Sequence, residues 1–252
     1  MKRVLLCVAY DGTGYAGWQV QKNAVTIEGE LNKALSDLCK EPVEVIGASR
    51  TDAGVHSLAS MCVFDTSMRM PAEKFSFALN TKLPDDIRVV WSKEVKDDFH
   101  PRHCLTEKTY EYRIYNEEFM PPTKRLYAFH EKRELDIKAM NEGAKYLVGE
   151  HDFKSFCSAE STAETTVRNI VAVDVRKEGA EVIISVTGNG FLYNQVRIIA
   201  GTLMWVGLRV REPEDVKAML DACDRSASGP TAPAHGLLLK SFKFLEEDGL
   251  KP

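Results

Sequence analysis

The chain has 252 residues, 44% of them hydrophobic and 28% charged, which is enough apolar material for a sizeable core and excludes a mainly disordered chain. Lys+Arg 33 against Asp+Glu 37 leave a net charge of −4, so a polyanionic partner has to be met by a local basic surface rather than by bulk charge. No apolar stretch reaches the roughly 18 residues of a membrane span, and Met1-Lys2-Arg3 followed by Val4 to Ala9 is too short for a signal peptide, which predicts a soluble, unexported protein.

The six cysteines are scattered and form no C-x-x-C pair, a usage that predicts reduced thiols in a cytosol. A zinc site would have to be built around His100-Pro101-Arg102-His103-Cys104, which lacks a second pair at ligand spacing, so no metal is expected.

Val4 to Tyr10 is an apolar run ending at Asp11-Gly12 and predicts a buried strand. A helix follows, with Thr26 as N-cap, Glu28 and Glu30 at the positive end of the dipole, and Ile27, Leu31, Leu35 and Leu38 at helical spacing. Val43 to Ile46 and Leu58 to Phe64 predict strands around a glycine-punctuated turn, Pro71 opens a helix with Phe75 and Leu79 on one face, and Ile87 to Val95 returns to strand. Tyr110, Tyr112 and Ile114 alternate with Thr109, Glu111 and Arg113, the pattern of a strand with one face on a core.

After the break at Pro121-Pro122, a helix is expected from Asp136 with Met140, Ala144, Leu147 and Val148 as its inner stripe. Val167 to Val175 and Val182 to Thr187 read as strands joined at Glu178-Gly179, Phe191 to Val206 and Pro213 to Ala222 as helices, and Leu237 to Phe244 as a last strand. Consecutive strands often lack the crossover length that parallel pairing needs, so the class is α+β with a largely antiparallel sheet and flanking helices. The boundary falls near residues 105 to 130, giving an N-terminal α+β subdomain, 1–105, and a C-terminal one, 106–252.

Two attractive motifs fail on context. Gly12-Thr13-Gly14-Tyr15-Ala16-Gly17 matches a dinucleotide fingerprint, but the helix begins only at Thr26 and the next strand does not end in an acid. Tyr10-Asp11-Gly12-Thr13 resembles the start of a haloacid dehalogenase-like phosphatase, yet Ala9 stands where the nucleophilic Asp is needed.

A third constellation survives. Gly47-Ala48-Ser49-Arg50-Thr51-Asp52-Ala53-Gly54-Val55-His56 sets an acid and a base in a loop of small residues. An Arg-Asp pair tying down a surface turn is the plain reading, but the lack of bulk around Asp52 suits close approach of a large substrate to a carboxylate. Arg197, inside the apolar run Val196-Arg197-Ile198-Ile199, either snorkels to the surface or pairs with an acid, for which Asp52 is the choice and Arg50 the competitor.

Five blocks in order, Tyr10-Asp11-Gly12-Thr13-x-Tyr15-x-Gly17-Trp18-Gln19-x-Gln21, Arg50-Thr51-Asp52-Ala53-Gly54-Val55-His56, Lys108-Thr109-Tyr110-x-Tyr112, Gly190-Phe191-Leu192-Tyr193-Asn194-x-x-Arg197 and Thr231-Ala232-Pro233-Ala234-x-Gly236-Leu237, resemble the tRNA pseudouridine synthase A family over nearly the whole chain. The resemblance implies the pseudouridine synthase fold, two similar subdomains around a central cleft, and a cofactor-free, cytoplasmic, homodimeric isomerase. Its reaction is conversion of uridine to pseudouridine in the anticodon stem-loop of tRNA, at positions 38, 39 and 40. By motif position Asp52 is the catalytic carboxylate, Tyr110 lies over the target base, and Arg50 and Arg197 belong to its basic surroundings. Gln195 stands where the helix motif often has Met, and Glu111 and Glu118 make the Tyr110 strand less basic than usual. The rival from another class is a non-catalytic RNA-binding protein of the same fold.

Overall fold

The structure is a computed structural model and describes residues 1–245. The described residues separate into two compact units, Met1–Thr106 together with residues 239–245, and Glu107–Leu238. Each is an antiparallel sheet with helices, and the class is α+β.

In the first unit β1 (Lys2–Tyr10) pairs antiparallel with both β3 (His56–Thr66) and β4 (Ile87–Val95). A strand flanked on both edges and covered on both faces cannot show polar alternation, and Val4, Leu5, Leu6, Cys7 and Val8 are all buried. Val4, Leu6 and Val8 pack with α1 (Ile27–Cys39) and α2 (Phe75–Leu79), whereas Leu5 and Cys7 face Met61, Val63, Val95 and Phe99. Helix α1 begins as its sequence specifies: Thr26 Oγ1 accepts the Gly29 N–H at 3.2 Å, and Ile27, Leu31 and Leu35 are fully buried.

The expected strand at Val43 to Ile46 shrinks to β2 (Ile46–Gly47). The reason is competition from side chains on α1, since the Val43 N–H donates to Ser36 Oγ (3.0 Å) and the Val45 N–H to Asn32 Oδ1 (2.8 Å). The helix expected from Pro71 is a 3-10 turn, Ala72–Lys74, followed by the five residues of α2, with Phe75 and Leu79 buried.

The second unit is ordered β5-β9-β8-β7, from β5 (Thr106–Tyr115), β7 (Gly149–Asp152), β8 (Val167–Glu178) and β9 (Glu181–Gly188), all antiparallel. The short β6 (Phe129–His130) adds a parallel pairing to β5. Tyr110, Tyr112 and Ile114 are buried as the alternation predicts. Glu111 on the opposite phase is buried as well, because Arg113 (2.8 Å) and Arg176 (2.9 Å) take its two carboxylate oxygens. Its charge is therefore consumed inside the protein.

Helix α3 (Ile137–Ala144) is capped by Asp136 and docked by Asn141, whose side chain bonds both the N–H and the C=O of Val175. Met140, Ala144 and Leu147 line the inner face, but Val148 is exposed, because the helix tightens into a 3-10 turn at Lys145–Leu147 and turns it outward. Helix α4 (Gln195–Gly207) starts four residues later than the apolar run suggests, since Asn194 sits at φ 62°. Helix α5 (Asp215–Asp221) follows, and β10 (Leu237–Phe244) returns beside β3.

Candidate active site

The loop between β2 and β3 owes its shape to the segment after β1. Trp18 N–H donates to the Thr51 carbonyl at 3.0 Å and Gly54 N–H to the Tyr15 carbonyl at 3.3 Å. The Tyr10 hydroxyl lies 2.8 Å from Thr51 Oγ1 and 3.2 Å from Ser60 Oγ, and burial raises its pKa. A register shift between β1 and β3 at Val8/Tyr10 sets Tyr10 opposite Ser57 and under the loop. Trp18, 1% exposed, fills the space beside it with ring centroids 6.1 Å apart.

This frame explains the glycines that imitate a nucleotide loop. A Cβ on Gly12 would stand 2.0 Å from the Val55 carbonyl oxygen, and one on Gly17, at φ 93°, 2.7 Å from that of Thr51. Gly14 has open space around it. The outer two glycines let two backbones touch, and what they support is the Asp52 loop. Asp11, the acid of the phosphatase-like tetrapeptide, accepts the Thr13 N–H (3.0 Å) and hydroxyl (2.6 Å), a local turn that fixes the same segment. The Nδ1 of buried His56 stands 3.1 Å from both the Gly12 backbone nitrogen and Asp11 Oδ1, so the ring ties β3 to the same segment.

On this foundation Thr51 and Val55 are buried, Asp52 is half-buried, and Arg50 and Ala53 are exposed. The tip closes as a turn, with the Val55 N–H on the Asp52 carbonyl (3.2 Å) and Gly54 at φ 77°. The carboxylate thus sits on a backbone pinned from beneath, with only small neighbours on its C-terminal side. Two buried polar atoms without a partner among the described residues, Trp18 Nε1 and Ser49 Oγ, belong to this loop and its support. At its entrance the Arg102 Nε donates to the Gly47 carbonyl at 2.7 Å.

The second unit carries the other expected residues. Tyr110, buried on β5, meets Phe191 edge-to-face at 5.2 Å. Two residues before it on the same strand, Lys108 is half-buried, and burial, with Arg168 adding repulsion, pushes its amine down to about 8. Arg197, in the first turn of α4 and half-buried, donates from Nε to the Ala232 carbonyl (2.7 Å) and from Nη1 to Asn194 Oδ1 (2.7 Å). Asn194 is held by Ser158 Oγ at 2.8 Å.

The block from Thr231 to Leu237 therefore has a visible task. It meets Arg197 at Ala232, and its Pro233 carbonyl accepts the Tyr112 hydroxyl at 3.0 Å. Gln195, the departure from the helix motif, turns back so that its Oε1 accepts the Leu192 N–H at 2.8 Å, while its Nε2 has no partner among the described residues.

Within the first unit Thr51, Gly54 and Val55 join the loop that bears Arg50 and Asp52 to Tyr10, Gly12, Tyr15 and Trp18; within the second unit Arg197 is joined to Asn194 and Ala232, and Tyr110 to Phe191. Sequence reasoning missed Arg102 and left Lys108 as a mere motif letter. The only signal for Arg102 was its place among the histidines of the rejected zinc motif. Among the described residues no group of three or more His, Cys, Asp or Glu could hold a metal ion, and no helix is long and apolar enough to cross a membrane.

An α+β chain that spends three aromatic residues and two glycines on holding one carboxylate-bearing loop has the makings of an enzyme. Comparison with known proteins supplies the class. The family model for tRNA pseudouridine synthase matches residues 6–103 and 144–244, stretches that hold Asp52 and Arg197 and flank the strand of Tyr110. The chain is 48% identical over 245 residues to tRNA pseudouridine synthase A 2 of Clostridium tetani, covering 96% of this chain and 99% of that one. It is 46% identical over 239 residues to tRNA pseudouridine synthase A of a Thermoanaerobacter species, covering 95% and 98% respectively. An Exiguobacterium protein of the latter name is 44% identical over 248 residues, covering 98% of this chain and all of its own. The chain belongs to the tRNA pseudouridine synthase family and is an isomerase.

Proposed function

We propose that this protein converts uridine to pseudouridine in the anticodon stem-loop of tRNA, at positions 38, 39 and 40, with Asp52 as the catalytic carboxylate. The observation that carries the reading is the Asp52 loop itself, a half-buried acid on a backbone pinned by Tyr10, Tyr15 and Trp18 and bordered by Ala53 and Gly54. A site built for close approach to one carboxylate suits a reaction that breaks the C1′–N1 bond and joins C1′ to C5 of the same base. The carboxylate serves as nucleophile or as base at the sugar, and the C5 proton must leave before the product is complete. No group is gained or lost overall.

The target base has to leave its stack to be reached, and the ring of Tyr110 replaces part of the lost stacking, about 1 to 3 kcal/mol. Arg50 and Arg197 supply positive charge for the RNA. A binding-only protein would have no use for a carboxylate among cations, since it repels phosphate. The reading includes a homodimer working in the cytoplasm, which gel filtration with light scattering and cell fractionation would test.

The deciding experiment incubates purified protein with an unmodified tRNA transcript, with EDTA and no added cofactor, and maps pseudouridine by carbodiimide primer-extension stops. Stops at the three positions with wild type and none with Asp52→Asn are expected. Wild-type protein that binds the transcript but leaves no stops would establish the binding-only reading instead.

A further inference from the structure

The segment His100 to Cys104 is given no part in the reaction above, yet it is a closed, internally bonded turn of the first unit. The His103 N–H closes on the His100 carbonyl at 3.0 Å, the Cys104 thiol points to the same oxygen, and the Arg102 N–H donates to His100 Nδ1 at 3.3 Å. The two imidazoles stack with centroids 4.1 Å apart and planes at 20°. Pro101 is buried beneath, while the side chains of Arg102 and His103 are exposed. So much order on an exposed basic turn calls for a use.

We propose that this turn receives a backbone phosphate of the RNA substrate, with the Arg102 guanidinium as its main contact and the edge of the His103 ring beside it. The proposal rests on the tRNA reading above. Arg102 is unlike an ordinary surface arginine in that its Nε is committed to the Gly47 carbonyl, which fixes the plane of the fork and leaves both terminal nitrogens for an anion. Neither Arg102 nor His103 has a carboxylate partner among the described residues, although the chain is acidic overall. The acids close by in sequence, Asp97 and Asp98, act on Arg3, which is itself held by Asp65 and the Phe99 carbonyl. His100 feels the resulting field: burial first, then His103, Arg102 and Arg3, lower its pKa.

A consequence follows for registration. Gly47 precedes Asp52 by five residues, at most about 17 Å of chain. A phosphate on Arg102 is therefore fixed, through the Gly47 hydrogen bond and the pinned loop, to within a few nucleotides of the nucleotide on which Asp52 acts. Flexible lysines would give affinity without that registration.

The test uses full-length enzyme and an unmodified tRNA transcript, with dissociation constants measured from about 50 to 300 mM salt and thermal melts alongside. Arg102→Gln is expected to weaken binding roughly 5- to 20-fold at low salt and to reduce the slope of log K against log salt by about one, whereas Arg102→Lys, which also loses the Nε bond, keeps the slope. His103→Glu, at an exposed position where the side chain has only the stacking on His100 to lose, is expected to weaken binding most at low salt and covers the case in which Arg102→Gln fails to fold. An unchanged slope in Arg102→Gln, or wild-type affinity in His103→Glu, would overturn the proposal. Equal loss of turnover in Arg102→Gln and Arg102→Lys at unchanged slope would also do so, by showing that Arg102 only holds Gly47. Wild-type enzyme without salt-dependent tRNA binding would instead remove the tRNA reading itself.

Discussion

The Tyr10 hydroxyl stands 2.8 Å from Thr51 Oγ1, so a residue at the end of the central strand holds the residue immediately before Asp52. Tyr10, Thr51 and Ser60 are all buried, and Tyr10→Phe would leave the two smaller hydroxyls without their shared partner. The expected cost is about 1 to 3 kcal/mol of stability in urea unfolding. Because the loop loosens rather than the RNA surface, kcat should fall more than KM rises. A variant with wild-type kcat would show that the Tyr10 bond is dispensable for the loop.

Gly17 and Gly14 provide a matched pair. At Gly17, φ 93° and a Cβ only 2.7 Å from the Thr51 carbonyl oxygen make Gly17→Ala costly, about 1 to 3 kcal/mol, with activity lost in step. Gly14→Ala meets nothing within 4 Å and should change stability by less than about 0.5 kcal/mol. Equal melting temperatures for the two variants would contradict the buttress.

What the sequence made legible was local. The cap at Thr26, the stripe on α1, the continuous apolar run of β1 and the alternation of Tyr110, Tyr112 and Ile114 each depend on neighbours a few residues away. The Asp52 loop was recognisable too, because its small residues are contiguous. Its support was not, since Tyr10 and Thr51 are 41 positions apart and the Gly12 to Gly17 run is equally compatible with a phosphate loop until Val55 and Thr51 are seen against it. The burial of Glu111 was hidden for the same reason, with Arg176 lying 65 positions away. The short β2 and the late start of α4 failed differently, through side-chain competition from Ser36 and Asn32 and the left-handed Asn194.

Glu181 gives the acid limb of stability. Burial pushes its carboxyl up, but Lys124 (2.6 Å) and Arg113 (3.1 Å) outweigh that and hold it below the ordinary 4.5. A depressed folded-state pKa contributes stability that is present above the unfolded value and is lost as pH falls through the folded one. Glu181→Gln should therefore cost about 1 to 3 kcal/mol near neutrality and flatten the loss of stability below pH 4.5. Urea unfolding at several pH values reads this directly, and parallel curves for the two proteins would remove Glu181 from the account.

Tyr110 allows ring and hydroxyl to be separated. If the ring stacks on the target base, Tyr110→Phe should bind and react nearly normally while Tyr110→Leu weakens tRNA binding by about 1 to 3 kcal/mol. Loss of turnover at normal affinity in Tyr110→Phe would assign the hydroxyl a proton to move. Two variants indistinguishable from wild type would return Tyr110 to the core contact it makes with Phe191.

Lys108 carries a charge that the fold disfavours. Burial, and then Arg168, push its amine down to about 8 from the ordinary 10.5, so between these values the unfolded chain binds more protons than the folded one. Stability must then rise with pH across that interval, because the folded state has released a proton that the unfolded state still holds. The cost is fully present below about pH 8. Lys108→Met keeps most of the stem and removes the charge, and it should be more stable than wild type at pH 7, with the difference shrinking by pH 10 as wild type neutralises itself. A cation retained at such a cost two residues before Tyr110 fits a polyanionic substrate, so the same variant should bind tRNA less tightly and with a shallower salt dependence. Unfolding curves at pH 7 and pH 10, with binding measured on the same preparation, decide the matter. A stability difference that stays constant over that range would show that the Lys108 charge is not the source of the cost.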